Sequence, residues 1–394
     1  MKAAQIHLNS PNKRILYTFY TKSLYDLIKQ LITRFYRHYK DSDPDWKTIS
    51  ILHAWGGANM DGVYYHACVN NGALAIRWRD VPAVERDKFG YVCRRLLESV
   101  EVSPEYDYIL IDEGQDLPEH FFRLCFRLAA GDRDQKNIVW AYDELQNIFD
   151  VKVRTPNELF GVDENNEPFI DLERASANLP AYLSNDVVLH RSYRNPKEIL
   201  ICAHALGFAL YSEQIVQMLE NREHWEDIGY RIIDGDFTTG SPITILRPDE
   251  NSPLGVTRFE PKDSIVKYLA LGDLTSEIGW IVEQIGAFIA EGLRPEDILV
   301  ISLDDRYARK YFAHPNRRSR IGRNRIFTAF TRTNLLPSLW ISRGSVRSRL
   351  SPRCNVLSLI PWIRQNSPRD RPLVPNSPTS RWTSCRVRRR RGLT

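Results

Sequence analysis

The apolar positions of the chain fall into short runs separated by longer amphipathic stretches, the pattern of an α/β protein. Residues 1–8, MKAAQIHL, read as a helix, Pro11-Asn12-Lys13 breaks it, and Ile15 to Phe19 follows as a short apolar strand. Thr21 then occupies a helix-capping position ahead of Leu24, Leu27, Ile28, Leu31 and Ile32, an amphipathic run at helical spacing. Residues 106–112, YDYILID, are a buried-strand pattern that ends in acid. Phe121, Phe122, Leu124, Cys125 and Leu128 mark a helix after it, and Ile138 to Tyr142 a second buried strand. Val187 to Leu189 is expected to be a further strand, leading into a helix from Ile199 to Leu210. Strands are also expected at 243–247 and 298–303, with Pro242 and Pro295 just before them, where a strand tolerates proline. Residues 33–100, with Trp46, Trp55, Gly56, Gly57 and Trp78, are less regular and read as an inserted subdomain rather than part of a sheet. Residues 150–185 read as a long acidic loop, Gly56-Gly57 as a turn, and no internal repeat is present.

Composition divides the chain in two. The formal net charge is +5, yet residues 1–314 hold 35 Lys and Arg against 48 Asp and Glu, a balance of −13. Residues 315–394 hold 19 Arg, no Lys and one acid, Asp370, a balance of +18. After about Phe312 Lys, Glu and Tyr vanish together, and Ser, Pro and Arg replace them. Natural basic tails mix Lys with Arg and seldom carry three tryptophans, here Trp340, Trp362 and Trp382. Residues 313–394 are therefore expected to be an aberrant segment, as a shifted reading frame produces. Arg388 to Arg391 reads as a solvated run.

A hydrophobic fraction of 43% excludes collagen-like and wholly disordered classes. No apolar run reaches the length of a membrane span, and no apolar signal core follows the N-terminus, so a cytoplasmic protein without a membrane partner is expected. Six cysteines without a CxxC spacing argue against a disulfide scaffold or zinc knuckle; Cys68, Cys93, Cys125 and Cys202 read as reduced core thiols. His53, His66 and His190 do not fall at metal-ligand spacing and read as core or surface histidines.

Three short segments carry chemistry. In Ile109-Leu110-Ile111-Asp112-Glu113-Gly114-Gln115-Asp116 an apolar strand delivers two adjacent carboxylates to the carboxyl edge of a sheet, where open α/β folds bind ligands. The first acid suits Mg²⁺, held through water, and the second suits an attacking water. An acidic turn is the plainer reading of a bare Asp-Glu pair, but the full DEGQD string is more specific. Ala141 to Phe149, AYDELQNIF, again ends a strand, and Gln146 there suits a γ-phosphate or its attacking water, although taken alone it reads as an ordinary loop amide. In Leu189 to Pro196, LHRSYRNP, Tyr193 offers a face for a base and Arg194 a fork for phosphate.

In this order and spacing the segments resemble the UvrD/Rep-like helicases of superfamily 1. DEGQD is similar to that family's Walker B motif, AYDELQNIF to its third motif and LHRSYRNP to its fourth. ILYTFYTKSL resembles motif Ia, which lines the single-strand DNA path, and Arg323 to Arg332 resembles motif VI, with Arg332 as an arginine finger. The resemblance covers residues 1–312 and the island at 323–333. It implies RecA-like P-loop NTPase motor domains with parallel sheets flanked by helices, the second domain incomplete. Residues 1–32 and 101–186 would form the first domain, 33–100 an insertion, 187–312 a partial second domain, and 313–394 the aberrant tail. It implies an ATP-dependent DNA helicase that acts as a monomer on single-stranded or partly duplex DNA, with ATP and Mg²⁺ as cofactors. Asp112 would hold Mg²⁺ through water, Glu113 would activate water, and Gln146, Arg194 and Arg332 would act on the transferring phosphate. Gln115 and Tyr193 would bind the nucleotide; Thr18, Thr21 and Ser23 would face DNA.

Two departures from the family pattern stand out. None of the 20 glycines is followed by Lys, so no GxxxxGK[ST] phosphate loop occurs, and the chain is expected to begin just after it. No motif V lies in the roughly twenty residues between the strand at 298–303 and the motif VI island. The alternative expectation is accordingly a non-catalytic remnant that keeps the fold and weak nucleic-acid binding.

Overall fold

Four short strands, β1 (Ile15–Phe19), β2 (Ile49–His53), β3 (Tyr108–Ile111) and β4 (Asn137–Trp140), pair in parallel in the order β2-β1-β3-β4. Ile15 lies opposite Ile49 on one side and Tyr108 on the other, and Tyr108 opposite Asn137. This computed structural model describes residues 1–21, 24–143, 154–177, 179–180, 183–208, 210, 219–238, 241–254, 266–267, 269–302, 356–359 and 385–386. The chain divides into two compact units, Met1–Val188 with Leu206–Met218, and Leu189–Ala205 with Leu219–Thr394.

The central strands of the first unit are apolar on both sides because helices cover both faces of the sheet. Strand periodicity sends Ile15 and Phe19, Ile49 and Ile51, and Leu110 to one face. There they meet Ala3, Ala4 and Ile6 of α1 (Lys2–Asn9) and Ile28, Ile32 and Tyr36 of α2 (Tyr25–Tyr39). Leu16, Leu52, Ile109 and Ile111 point the other way. They pack with α3 (Val63–Asn70), α4 (Lys88–Ser99), α5 (Glu119–Leu128) and α6 (Pro156–Phe160) through Tyr64, Val92, Cys93, Phe121, Leu124 and Phe160. Each such aliphatic or aromatic side chain contributes about 1.5–3 kcal/mol on burial.

The α/β character and the parallel sheet agree with the sequence pattern, with three local corrections. Residues 33–100 are not apart from the sheet, because Ile49, Ile51 and Leu52 make β2 a strand of it, paired along β1. β4 is less buried than expected: Asn137 and Val139 are exposed and Ile138 and Trp140 half-buried, since β4 is the edge of the described sheet. The acidic stretch 150–185 is not all loop. Thr155 and Glu158 form a reciprocal capping box that starts α6, and α7 (Leu172–Ala177) follows.

A buried histidine links α1 to the loop before β2. The amide of Asp45 donates to His7 Nε2 at 3.1 Å, and Thr48 Oγ1 lies 3.4 Å from Nδ1. Nε2 must be unprotonated to accept, so the fold needs the neutral ring. Burial lowers the His7 pKa from its ordinary 6.5, against Asp45, which raises it, and with Lys40, which lowers it. Between the two pKa values the unfolded chain binds more protons. The contribution of this site is complete above about pH 6.5 and is lost as pH falls toward the folded-state value. We expect unfolding free energy to decline below about pH 6.5, and less steeply in His7→Gln, whose amide can keep both contacts without titrating. Identical slopes in denaturant titrations of the two proteins would contradict this.

In the second unit α8 (Lys197–Gly207) follows the LHRSYRNP segment, and α9 (Arg222–Asp227) leads to an antiparallel pair, β5 (Arg231–Asp234) and β6 (Thr244–Leu246). Then α10 (Leu274–Ala290), capped by Asp273, places Ile281 and Ile285 against Val300 of β7 (Leu299–Ser302). β7 pairs in parallel with β8 (Val356–Leu359), and β6 pairs antiparallel with β9 (Cys385–Arg386). The strand expected at Val187 to Leu189 does not form: these three residues are irregular and exposed, too short a run for apolar character to specify a partner. Cys68, Cys93 and Cys125 are buried free thiols. Among the described residues no helix is long and apolar enough to cross a membrane.

Candidate functional site

The strand order reverses between β1 and β3. β1 leads outward to β2, and the chain returns on the other side of β1 as β3, so the carboxyl ends of β1 and β3 lie side by side. Such a switch point is where open α/β sheets bind ligands. Asp112 and Glu113 follow β3 directly at this place.

Asp112 continues the ladder, its amide donating to the Thr18 carbonyl at 2.9 Å. Its Oδ2 accepts from the Tyr17 hydroxyl at 2.7 Å, and its Oδ1 from the Glu113 amide at 3.1 Å. Tyr17 sits on β1, and strand parity gives its side chain the same face as Asp112. Burial, then the bond to Asp112, push the Tyr17 phenol up, so it remains the donor. Glu113 adopts a left-handed backbone, φ 53° and ψ 47°. That conformation costs a side-chain-bearing residue about 1–2 kcal/mol. Gly114 then turns tightly, its amide donating to the Ala141 carbonyl at 2.8 Å; a Cβ there would stand 3.2 Å from that oxygen and 3.3 Å from the Phe122 ring.

Gln115 joins this turn to the end of β4. Its Nε2 donates to Glu113 Oε2 at 2.6 Å, and its Oε1 accepts from the Asp143 amide at 3.1 Å. Arg154 closes the turn from outside, donating to the carbonyls of Leu117 at 2.7 Å and Gly114 at 2.8 Å while lying over the Phe122 ring. Neither Asp112 nor Glu113 forms an ion pair among the described residues, and both are half-buried. Their uncompensated oxygens fit one hydrated divalent cation such as Mg²⁺, which needs only one or two carboxylates. They do not form a protein cage: among the described residues no group of three or more His, Cys, Asp or Glu is placed to hold a metal.

The other expected residues divide as follows. Thr18 is fully buried at 0% exposure and its hydroxyl has no partner, so it presents no surface to a nucleic-acid strand; this corrects its assignment as a DNA contact. Thr21 is exposed just past the end of β1. Ser23, Gln146 and Arg332 lie outside the described residues. Tyr193 and Arg194 belong to the second unit. The Tyr193 ring is 67% exposed, and the Arg194 side chain is exposed as well.

Their loop is held from beneath by Arg247, a side chain only 2% exposed. Its guanidinium donates to the carbonyls of His190 and Ile228, each at 2.7 Å, to the Asn251 carbonyl at 2.9 Å, and to Ser252 Oγ at 2.7 Å. The Tyr230 ring lies 5.3 Å from it. The Asn251 carbonyl also accepts from the Ser192 amide at 3.0 Å, and Lys197 Nζ donates to Asp249 at 2.8 Å. Arg247 thus fixes the backbone at His190, just ahead of the residues Tyr193 and Arg194, and Lys197 ties the chain beyond them to Asp249. Burial lowers its pKa, but arginine stays charged in proteins.

Tyr17, Arg154 and Arg247 carry no motif signature. The alternation of β1 places Tyr17 on the same side as Ile15 and Phe19; nothing comparable marks the two arginines. No family model, curated protein or solved structure matches the chain.

Proposed function

We propose that the first unit is a RecA-like nucleotide-hydrolysing domain and that the chain is a UvrD/Rep-like DNA helicase, coupling ATP hydrolysis to movement on single-stranded DNA. The observation that carries this reading is the pair Asp112-Glu113 at the reversal of the sheet, with Gln115 tying Glu113 to the start of AYDELQNIF. Asp112 would hold Mg²⁺, which when bound neutralises charge on the β- and γ-phosphates. Tyr17 keeps the Asp112 carboxylate oriented. Glu113 accepts a proton from the attacking water, and its left-handed backbone fixes the direction of its side chain. Gln115 couples that carboxylate to the backbone at Asp143, three residues before Gln146. A change at either end is felt at the other through two hydrogen bonds. By the family resemblance Tyr193 would stack on the base of the nucleotide, and Arg194 and Arg332 would take up charge on the transferring group. DNA would run past Thr21 and Ser23.

The second reading is a remnant that neither binds nor hydrolyses ATP. One observation favours it: the sequence holds no Gly-Lys pair, so backbone amides and a lysine for the β- and γ-phosphates must come from elsewhere. Titration of the full chain with a fluorescent ATP analogue separates the two. The motor reading predicts saturable binding that Mg²⁺ strengthens, and loss of the Mg²⁺ effect in Asp112→Asn with the fold intact. No binding by the folded wild-type chain would establish the remnant.

A further inference from the structure

At the carboxyl end of the same sheet a row of rings runs from the strand ends to the surface. Tyr20, after β1, stacks on His53 at the end of β2, with centroids 5.8 Å apart. Phe89 lies 6.0 Å from Tyr20, Trp55 stacks on Phe89 at 4.9 Å, and Trp78 lies 5.2 Å from Trp55. His53 Nδ1 accepts from the amides of Trp55 at 3.1 Å and Gly56 at 3.2 Å, which fixes the backbone beneath Trp55. Trp55 and Phe89 are buried, whereas Trp78 is 50% exposed. A tryptophan is thus rigidly mounted on the core and half presented to solvent.

The surroundings of Trp78 are basic. Arg77 and Arg79 flank it, both exposed, and Arg86 is exposed nearby in sequence; none of the three is in an ion pair among the described residues. Lys88 Nζ lies 4.9 Å from the centre of the Trp78 ring. Of the neighbouring acids Glu85 pairs with Arg94 at 3.6 Å, while Asp87 caps α4 by accepting the Gly90 amide at 2.8 Å and stays exposed. Asp80 is exposed and is the remaining acid between Arg77 and Lys88. An exposed indole among unpaired guanidinium groups suits a polyanion that carries its own flat rings.

We propose that Trp78, with Arg77, Arg79 and Lys88, is a stacking platform for single-stranded nucleic acid. One base stacks on the indole, and the cations take the flanking phosphates. In the free protein the Lys88 ammonium covers the ring; its flexible stem lets it move from the ring to a phosphate when a base arrives. A duplex is a poor occupant because its base faces are already stacked. The platform stands at the same sheet edge as Thr21 and lengthens the path that the motor reading assigns to the strand, and it rests on that reading for its purpose.

The test is fluorescence anisotropy of a labelled oligothymidylate with the full chain, with oligouridylate, a DNA duplex and polyglutamate as competitors. Trp78→Ala is expected to weaken binding by about tenfold, as loss of one base stack does, with Trp78→Phe recovering most of it. Arg77→Ala with Arg79→Ala is expected to flatten the salt dependence. Competition by oligouridylate distinguishes RNA from DNA as the occupant; either supports the platform. Unchanged affinity in Trp78→Ala, equal competition by the duplex or by polyglutamate, or no binding by the wild type overturns it. Trp78 does not touch Asp112 or Glu113, so Mg²⁺-dependent binding of the ATP analogue reports on the motor reading separately, whichever way the platform falls.

Discussion

Arg247→Leu is expected to destabilise the second unit by about 3 kcal/mol, because it removes a buried guanidinium and leaves its partly buried acceptors short of donors. The carbonyls of His190 and Ile228 and the hydroxyl of Ser252 accept from this one guanidinium, and the Asn251 carbonyl shares it with the Ser192 amide. Leucine fills part of the volume but donates nothing. Lysine keeps the charge, but its single ammonium cannot reproduce the planar fork that meets acceptors from His190, Ile228 and the 251–252 turn at once. Arg247→Lys should therefore recover only part of the loss. Hydrogen exchange gives the local readout: the Ser192 amide, bonded to Asn251, should lose protection in Arg247→Lys even under conditions where the unit remains folded. Under the motor reading, ATP-analogue affinity should fall with it, since Tyr193 and Arg194 project from that loop. A stability change within about 0.5 kcal/mol would mean that Arg247 sits on a surface position, not in a buried hub.

Glu113→Gly is expected to have two opposite effects. Glycine accepts the left-handed backbone at no steric cost, so Glu113→Gly should be about 1 kcal/mol more stable than Glu113→Ala. Hydrolysis, which the motor reading assigns to this carboxylate, should fall by about 100-fold or more. Glu113→Ala removes the same carboxylate and keeps the strained backbone, so it should lose activity without gaining stability. The Gly-Ala difference isolates the strain, because both variants lose the Gln115 contact. Equal stability of the two variants would show that the turn imposes no strain, and a stabler Ala variant would reverse the argument.

The part of the site that lies within one segment was legible in the sequence. The apolar run Ile109 to Ile111, followed by two acids and glycine, specifies a buried strand ending in a tight polar turn, and that is how β3 and its turn fold. The part made by distant segments was not legible. Tyr17 meets Asp112 only because β1 lies beside β3, and Arg154 meets Gly114 across 40 positions of sequence. Arg247 meets His190 across 57 positions, and an isolated arginine in a sequence looks like surface. Thr18 shows the converse error. Its motif resemblance suggested a contact with DNA, but the alternation of β1 turns it toward the same face as Leu16, into the core. β2 is hard to read because Ser50, His53 and a tryptophan-rich context disguise its three apolar residues, Ile49, Ile51 and Leu52. Val187 to Leu189 was over-read because three apolar residues carry no period.

Under the motor reading Asp112 and Glu113 form a hydrolytic centre for a nucleoside triphosphate. Release of phosphate from ATP by the full chain, measured with and without single-stranded DNA beside Glu113→Gln, tests it most directly. The account predicts Mg²⁺-dependent release that DNA stimulates and that Glu113→Gln lowers by about 100-fold while the fold is retained. Phosphate release that is equal in the wild type and in Glu113→Gln, or none from the folded wild-type chain, would contradict it.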